Sequence, residues 1–244
     1  MLGTASAAPV EPEQKPRVVI IIDDIGHNLG SGKRAVALAG AVNYAILPHT
    51  ANAAVLAQLA SASGKEVILH MPMTSQLEKS PGPGALTPGM DRTTFLQALR
   101  AAISSVPEIK GLSNHMGSEL TSMHQPMQWL MSELLNQKLY FVDSRTTNKT
   151  LGASTAAEYG VPYLKRLVFL DNVRTDAAIS QEYERLLDLA ELHGVAAAIG
   201  HPHAETLAFL EQNLPELEAR GYSLALISEV LSKTTAAATI QAAL

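Results

Sequence analysis

Residues 17–24 read RVVIIIDD, a run of Val and Ile residues that ends in two carboxylates. A continuous β-branched run of this kind is typical of a strand that is buried on both faces, as the strands of parallel sheets are. The segment is therefore predicted to be a central strand of an α/β domain. Its two carboxylates, Asp23 and Asp24, lie at the carboxyl end of that strand.

Segments with strand-like and helix-like patterns alternate along the rest of the chain. The predicted strands are 17–24, 44–47, 66–69, 111–114, 139–142, 166–170, 195–199 and 222–227. The predicted helices are 31–40, 50–62, 91–105, 125–137, 151–159, 179–193 and 204–218, and a long loop covers 70–89. This alternation predicts one parallel α/β domain at 17–232, either a (β/α) barrel or an open doubly wound sheet. Residues 1–16 are interpreted as a disordered linker or tail and 233–244 as a frayed tail.

Reactive side chains follow nearly every predicted strand. They are Asp23, Asp24, His49, His70, Asn114, His115, Asp143, Ser144, Arg145, Asp171, Asn172, His201, His203, Ser228 and Glu229. In a parallel barrel the carboxyl ends of all strands share the face that holds the active site. An open sheet would spread the same residues along a crevice, with function only near one switch point. The pattern therefore favours a closed or nearly closed barrel of about seven to eight parallel strands.

Composition excludes several classes of function. The chain of 244 residues has no cysteine, which excludes disulfides, thiolate metal sites and a cysteine nucleophile. Its net charge of −5 gives no broad basic footprint for nucleic acid. No apolar run reaches the roughly 18 residues of a membrane span. The chemistry that remains belongs to oxygen and nitrogen groups, and the eight histidines are scarce among them.

Adjacent carboxylates at the end of an apolar strand repel each other unless a cation or a proton intervenes. One of Asp23 and Asp24 can bind a metal while the other handles a proton. An aspartate with two or three neutral histidines is a common ligand set for Zn²⁺, and His70, His115 and His201 each directly follow an apolar strand. Three protein ligands leave a position for water, whose pKa the metal lowers, so the set suits amide or ester hydrolysis.

Other motifs are absent, and the other histidines are not interpreted as catalytic or metal-binding. The chain contains no G-x-S-x-G elbow, P-loop, dinucleotide fingerprint or HExxH motif. Asp171 is interpreted as a helix N-cap. His49 and His203 are interpreted as solvated or supporting residues, and His124 and His193 as surface residues.

At these residues the sequence resembles the divergent polysaccharide deacetylase family, a bacterial branch of the carbohydrate esterase deacetylases. The matching segments run in order across 17–230: VVIIIDDIGHN (18–28), LHMPM (69–73), PGPGAL (81–86), GLSNHMGSELT (111–121), FVDSRTT (141–147), VFLDN (168–172) and AIGHPH (198–203). The resemblance implies a single distorted (β/α) barrel, a bound divalent metal and removal of an acetyl group from an N-acetylated glycan. It also implies an exported, periplasmic setting.

The metal ligands follow from the resemblance by position. The first aspartate of the pair acts as base in the wider superfamily and the second binds metal, which implies these roles for Asp23 and Asp24. The superfamily then uses two histidines four residues apart, of which His70 is present, but Thr74 stands at the second position. We expect His115, from the next strand end, to replace the missing ligand and to hold Zn²⁺ together with Asp24 and His70.

The remaining roles are also implied by the resemblance. His201 matches the acid of the superfamily, although it could instead be a metal ligand. Asp143 and Arg145 would orient the base or the substrate. The leading hypothesis is a metal-dependent N-deacetylase of a polysaccharide or peptidoglycan. The alternatives are a catalytically inactive barrel that acts as a carbohydrate-binding or regulatory protein of the cell envelope, and another metal hydrolase such as a phosphoesterase or cyclic amidase.

Overall fold

The computed structural model describes residues 15–77 and 79–234 of the chain. Most of the predicted linker at 1–16 and of the predicted tail at 233–244 lies outside these residues, so both boundaries stay predictions. Within the described ranges, no helix is both long enough and apolar enough to cross a membrane.

Strands and helices alternate along the described chain. The strands are β1 (Arg17–Ile25), β2 (Val42–Ile46), β3 (Glu66–Met73), β4 (Ile109–Met116), β5 (Tyr140–Asp143), β6 (Tyr163–Lys165), β7 (Val168–Phe169), β8 (Val195–Gly200) and β9 (Ser223–Leu224). The α-helices are α1 (Leu29–Val36), α2 (Ala53–Ala62), α3 (Arg92–Ser105), α4 (His124–Gln137), α5 (Gly152–Tyr159), α6 (Asp176–His193), α7 (Ala204–Asn213) and α8 (Ile227–Thr234).

The strands form one curled parallel sheet in the order β6-β5-β4-β3-β2-β1-β8-β7. The two outer strands, β6 and β7, are joined by only Arg166 and Leu167. One extended segment therefore leaves the edge of β5 and joins the edge of β8. This segment completes the curl, and with the flanking helices it gives the distorted (β/α) barrel that the sequence predicts. The predicted strand 166–170 is the second half of this split strand.

The apolar run of β1 is buried on both of its faces. Val19 and Ile21 belong to an apolar cluster inside the curl, whereas Ile20 and Ile22 belong to the larger core beneath the helices. These four side chains are fully buried, which confirms the interpretation of the run. Because side chains alternate along a strand, Asp23 follows on the inner face.

The predicted strand 222–227 is largely wrong. Only β9 is extended there, and it pairs with Arg17 and Val18 at the start of β1. The chain then enters α8, whose first backbone N–H, that of Ile227, donates to Asn43 Oδ1 at 3.0 Å. Ala225 and Ile227 pack inside the barrel at the start of α8, and Tyr222 belongs to the core beneath the helices, so the apolar character of the segment does not require a strand.

Helix α8 covers the amino end of the barrel. The backbone N–H of Ser228 donates to Glu66 Oε1 at 2.9 Å, and Glu66 is the first residue of β3. The expectation that Ser228 and Glu229 join the reactive face is therefore wrong, because they lie at the opposite end of the strands.

Candidate metal centre and active site

A β-bulge at the end of β1 aims two adjacent carboxylates at one histidine. The register with β2 shifts between Ile22 and Ile25, and Asp24 adopts a left-handed φ of 57°. Bulges re-aim side chains in this way. As a result, Asp23 Oδ2 lies 3.4 Å from His70 Nε2, and Asp24 Oδ1 lies 3.3 Å from the same nitrogen.

The three predicted metal ligands form a compact triangle. His115 Nδ1 lies 2.9 Å from Asp24 Oδ1 and 3.2 Å from His70 Nε2, and the third edge is the 3.3 Å contact between Asp24 and His70. Zinc–ligand bonds of about 2.0–2.1 Å in a tetrahedral site place ligand atoms about 3.3 Å apart. The Asp24 cluster, defined as Asp24, His70 and His115, therefore has the spacing that a tetrahedral divalent ion requires.

Strand pairing also explains the orientation of His70. Its register partner on β4 is Ser113, whose Oγ lies 2.7 Å from His70 Nδ1. When Nδ1 carries the proton and donates it to this hydroxyl, the Nε2 lone pair points into the cluster. A partner on the far ring nitrogen is usual for metal-binding histidines. The sequence analysis did not single out Ser113, since its contact depends on strand register.

One buried carboxylate oxygen, Asp23 Oδ1, has no hydrogen-bond partner among the described residues, and Asp24 Oδ1 contacts only the ring nitrogens of His115 and His70. Buried polar atoms are normally paired. A cation shared by the Asp24 cluster would satisfy the Asp24 oxygen. The Asp23 oxygen is left free to accept a hydrogen bond from water or substrate.

The two adjacent carboxyl groups have pKa values shifted in opposite directions. Burial raises the pKa of Asp23, and the nearby charge of His70 only partly offsets it. Burial also acts to raise the pKa of Asp24, but the His115 and His70 rings lower it well below its usual range. Asp24 is therefore the stable anion, as a metal ligand should be, and Asp23 is the carboxyl group that accepts a proton more readily.

The departure at Thr74 has a structural reason. The Thr74 side chain donates to the carbonyl of Leu86 at 3.2 Å, and the Thr74 carbonyl accepts from the backbone N–H groups of Glu119 and Leu120. Thr74 thus braces the long loop after β3. His115 from β4 lies beside His70 and Asp24, so the cluster holds a second histidine although Thr74 is not one.

His201, directly after β8, is held by Asp171. Its Nδ1 lies 2.9 Å from Asp171 Oδ1, and its backbone N–H donates to Oδ2 at 2.6 Å, where Thr206 Oγ1 also donates at 2.8 Å. The interpretation of Asp171 as a helix N-cap is wrong, because Thr175 caps α6. Asp171 orients the histidine instead.

The environment of His201 favours the imidazolium. Burial alone would lower the pKa of His201, but the hydrogen bond and charge of Asp171, with smaller effects of Asp23 and Asp24, raise it to about 9. His201 therefore carries a proton at neutral pH. Its Nε2 remains as the nitrogen that is not engaged with Asp171.

Arg166 is a further charged residue of the site that the sequence analysis missed. It lies between β6 and β7 and donates to the carbonyls of Ser144 and Arg145 at 2.6 and 2.8 Å. Its guanidinium lies 3.8 Å from the centroid of Phe169, whose ring stacks on His201. Burial lowers the pKa of Arg166 to about 10, so it stays a cation at neutral pH, and the Asp23 charge acts on it. No pattern in the sequence marked the split strand that places it there.

Asp143 and Arg145 lie at the edge of this arrangement. Asp143 Oδ1 accepts from the backbone N–H of Arg145 at 2.9 Å, and Oδ2 accepts from Thr150 Oγ1 at 3.0 Å and from the N–H of Ala153. In residues 15–77 and 79–234 no hydrogen bond joins Asp143 to Asp23. The role of this pair in orienting the base or the substrate stays a prediction, and the carbonyls of both residues accept hydrogen bonds from Arg166.

The remaining predicted residues take minor positions. The exposed His49 ring packs where a Cβ at Gly84 would stand. The His203 ring lies 5.6 Å from that of His201. His124 is the first residue of α4 and His193 the last of α6. Neither of these two contacts the Asp24 cluster in the part of the chain that is described.

Four of the six non-glycine residues with positive φ in the described chain lie on the same face of the barrel, whereas Glu108 and Lys138 lie at the amino ends of β4 and β5. Asp24, His49, Met116 and Arg145 have positive φ angles without being glycine. They lie at or just after the carboxyl ends of β1, β2, β4 and β5. Each such residue costs of order 1–3 kcal/mol, and strain of this kind gathers at functional sites.

Comparison with known proteins identifies the family of the chain. The model of the divergent polysaccharide deacetylase family matches residues 20–231. The chain belongs to this family. An Escherichia coli relative, described as the uncharacterized protein YibQ, is 37% identical over 202 residues. That match spans 82% of this chain and 63% of the relative, so the chain corresponds to less than two thirds of the YibQ length.

Solved structures share the fold of this deacetylase family member. The uncharacterized protein ATU2773 of Agrobacterium tumefaciens superposes with a TM-score of 0.86 at 20% identity, over 91% of this chain and 92% of its own. A mutant of BA3943 from Bacillus anthracis, described as a CE4 family pseudoenzyme with restored enzymatic activity, superposes with a TM-score of 0.54 at 15% identity. This second match covers 89% of this chain and 68% of the other. At these identities the likeness concerns the fold alone.

Proposed function

We propose that this protein is a metal-dependent hydrolase that removes acetyl groups from an N-acetylated polysaccharide or peptidoglycan glycan. The observation that carries the proposal is the Asp24 cluster, whose three ligand atoms lie 2.9–3.3 Å apart beside the buried carboxylate of Asp23. Membership of the divergent polysaccharide deacetylase family supports the acetylated glycan as the substrate class.

Asp24, His70 and His115 would hold the ion, and we propose Zn²⁺ because one carboxylate and two imidazoles are its typical oxygen and nitrogen ligands. When bound, such an ion supplies Lewis-acid polarisation of an acyl carbonyl and acidifies water. Ser113 keeps the His70 ring in the orientation that binding needs.

Asp23 is the proposed general base. Its Oδ1 has no partner in the described residues, so it can accept the proton of an attacking water. Burial raises the pKa of Asp23, which brings the carboxyl group closer to the range in which it can take up and release a proton. The charges of His70 and His201 and of the half-buried Arg166 act on Asp23 and limit the cost of keeping it ionised.

His201 is the proposed general acid. Asp171 occupies its Nδ1, and the raised pKa of about 9 keeps the ring protonated at neutral pH. The free Nε2–H can then protonate the amine of the sugar as it leaves. Asp171 acts through His201 and is a positioning residue.

The test is acetate release from chitooligosaccharides and from peptidoglycan fragments by the Zn²⁺-loaded protein. We expect release by the wild type, loss in Asp23→Asn, and no change in Asp188→Asn, a matched control on the exposed face of α6. Aryl phosphates and cyclic amides serve as comparison substrates. Turnover of these instead of acetyl substrates would replace the proposal with a phosphoesterase or cyclic amidase.

A binding protein without turnover is the second candidate. The chain offers few aromatic platforms, with 5% aromatic residues, and a related fold includes a protein described as a pseudoenzyme. Absence of acetate release from every acetylated substrate, together with retained glycan binding, would favour this candidate. An exported, periplasmic location is a further proposal, which fractionation of cells that express the native gene would test.

A further inference from the structure

A second group of possible metal ligands lies outside the Asp24 cluster. One ligand atom from each of Asp171, His201 and His203 falls within 4.8 Å of the others. We call these residues the Asp171 cluster. His201, for which the sequence left open a role as metal ligand, belongs to this group and not to the Asp24 cluster.

Two of the three residues of the Asp171 cluster, Asp171 and His201, are already in contact. Asp171 is 5% exposed, and its Oδ2 is engaged by the backbone N–H of His201 and by Thr206 Oγ1. Its Oδ1 faces only His201 Nδ1 at 2.9 Å. These two atoms share a single proton between them, and their separation is close to the edge of a tetrahedral zinc site, about 3.3 Å.

His203 is the third possible ligand of this cluster. A tight turn, in which the His203 N–H donates to the His201 carbonyl at 2.8 Å, brings the two rings to a centroid distance of 5.6 Å. Within the described residues, the His203 ring makes no hydrogen bond, and it is only half-buried, so it is free to rotate toward the pair. Burial and the charges of Arg174 and His201 lower the pKa of His203, although Asp171 and Glu205 act to raise it.

We propose that the Asp171 cluster is a second, inhibitory site for Zn²⁺. The ion takes the place of the proton between His201 Nδ1 and Asp171 Oδ1, that proton is released to solvent, and His203 Nδ1 or Nε2 becomes the third ligand. Binding at this site does not depend on the proposed function. Inhibition does rest on it, because zinc on Nδ1 leaves a neutral ring, whose Nε2–H is a far weaker proton donor than that of the imidazolium.

The binding experiment uses the full-length protein stripped with a chelator and titrated with ZnCl₂ alone, read by calorimetry and by metal analysis after desalting. We expect the wild type to bind one more ion per chain than His203→Gln, and one more than Asp24→Ala. The control is His124→Gln, which removes an exposed histidine outside both clusters and should bind like the wild type. Melting curves of the metal-free variants establish that each is folded.

The outcomes separate the two sites. An unchanged number of ions in His203→Gln, or a wild type that binds only the ion lost in Asp24→Ala, would overturn the second site and leave the proposed function standing. Loss of one ion in His203→Gln, without any acetate release by the wild type, would support the second site and count against the proposed function.

Activity provides a further readout. Where acetate release is measured, we expect rising Zn²⁺ to inhibit the wild type and His124→Gln at least tenfold. His203→Gln should keep its basal rate and lose this inhibition. Equal inhibition of His203→Gln and the wild type would contradict the proposed site.

Discussion

The buried carboxyl groups of Glu66 and Asp23, at opposite ends of the barrel, differ in their hydrogen bonds. At the amino end, the oxygens of Glu66 accept from Tyr140 Oη at 2.6 Å and from the backbone and side chain of Ser228. At the carboxyl end, Asp23 Oδ1 has no partner in the described part of the chain, and Asp24 Oδ1 contacts only the His115 and His70 rings. The carboxyl group of Glu66 is fully hydrogen-bonded within the protein, whereas that of Asp23 leaves an oxygen for water or substrate. The difference assigns stability to the first end and function to the second.

Replacement of Asp23 tests the functional end and has the largest expected effect. In Asp23→Asn we expect acetate release to fall by about 10²–10⁴-fold, because the general base is lost. The melting temperature of the metal-free variant should stay equal or rise, since a buried carboxylate with an unpaired oxygen is removed. Rate assays and thermal unfolding measure both effects. A large loss of stability would show that Asp23 serves the fold and would break the comparison.

Replacement of Glu66 tests the opposite end. Glu66→Ala leaves Tyr140 and Ser228 without their buried acceptor, so we expect a loss of about 2–4 kcal/mol in the free energy of unfolding. Activity per folded molecule should be unchanged, because Glu66 lies at the amino end of β3. Chemical denaturation with Glu66→Gln as the milder control measures this. A variant of full stability and low activity would invert the roles of the two ends.

The pH dependence of stability tests the pairing of His201 with Asp171 at the carboxyl end. Its pKa of about 9 in the folded protein exceeds the ordinary value of about 6.5. The stabilisation of the fold by protonated His201 is therefore complete below a pH of about 6.5, and it disappears as the pH rises through about 9. In the metal-free protein, Asp171→Asn should reduce the free energy of unfolding by about 1–3 kcal/mol near neutral or lower pH, and by progressively less toward about pH 9. The same loss at every pH would mean that Asp171 stabilises the fold without reference to the proton of His201.

Ser113 gives the smallest expected effect. Ser113→Ala removes the hydroxyl beside His70 Nδ1, and loss of such a partner typically weakens metal binding by about 10–100-fold. We expect a change near the lower limit, because water can replace a single hydroxyl. Competition with a zinc chelator measures the affinity. Ser228→Ala, at the other end of the barrel, is the matched control and should bind zinc as the wild type does.

Local patterns in the sequence were sufficient to predict the barrel and the face of its site. The apolar run of β1 identifies a strand buried on both faces, and parallel strands must bring Asp24, His70 and His115 to one end. The arrangement of side chains within that face depends on contacts between distant segments. Strand register sets the bulge that turns Asp23 and Asp24 toward the same histidine, and it also sets the partner of His70.

Other parts of the structure could not be predicted from local sequence patterns, because they also depend on contacts between distant segments. Asp171 and His201 are 30 residues apart in sequence, and an aspartate after a strand looks like a helix cap until its partner is known. Arg166 stands where one extended segment passes from β5 to β8. The segment 222–227 is apolar because its residues pack into both cores on the way into α8, a cause that a short window cannot distinguish from a strand.

Anomalous diffraction at the zinc edge from crystals grown with Zn²⁺ tests the central claim most directly. We predict a peak about 2.0–2.2 Å from each of Asp24 Oδ1, His70 Nε2 and His115 Nδ1. A zinc-loaded crystal without a peak at these three atoms would contradict the account of the carboxyl end as a metal site.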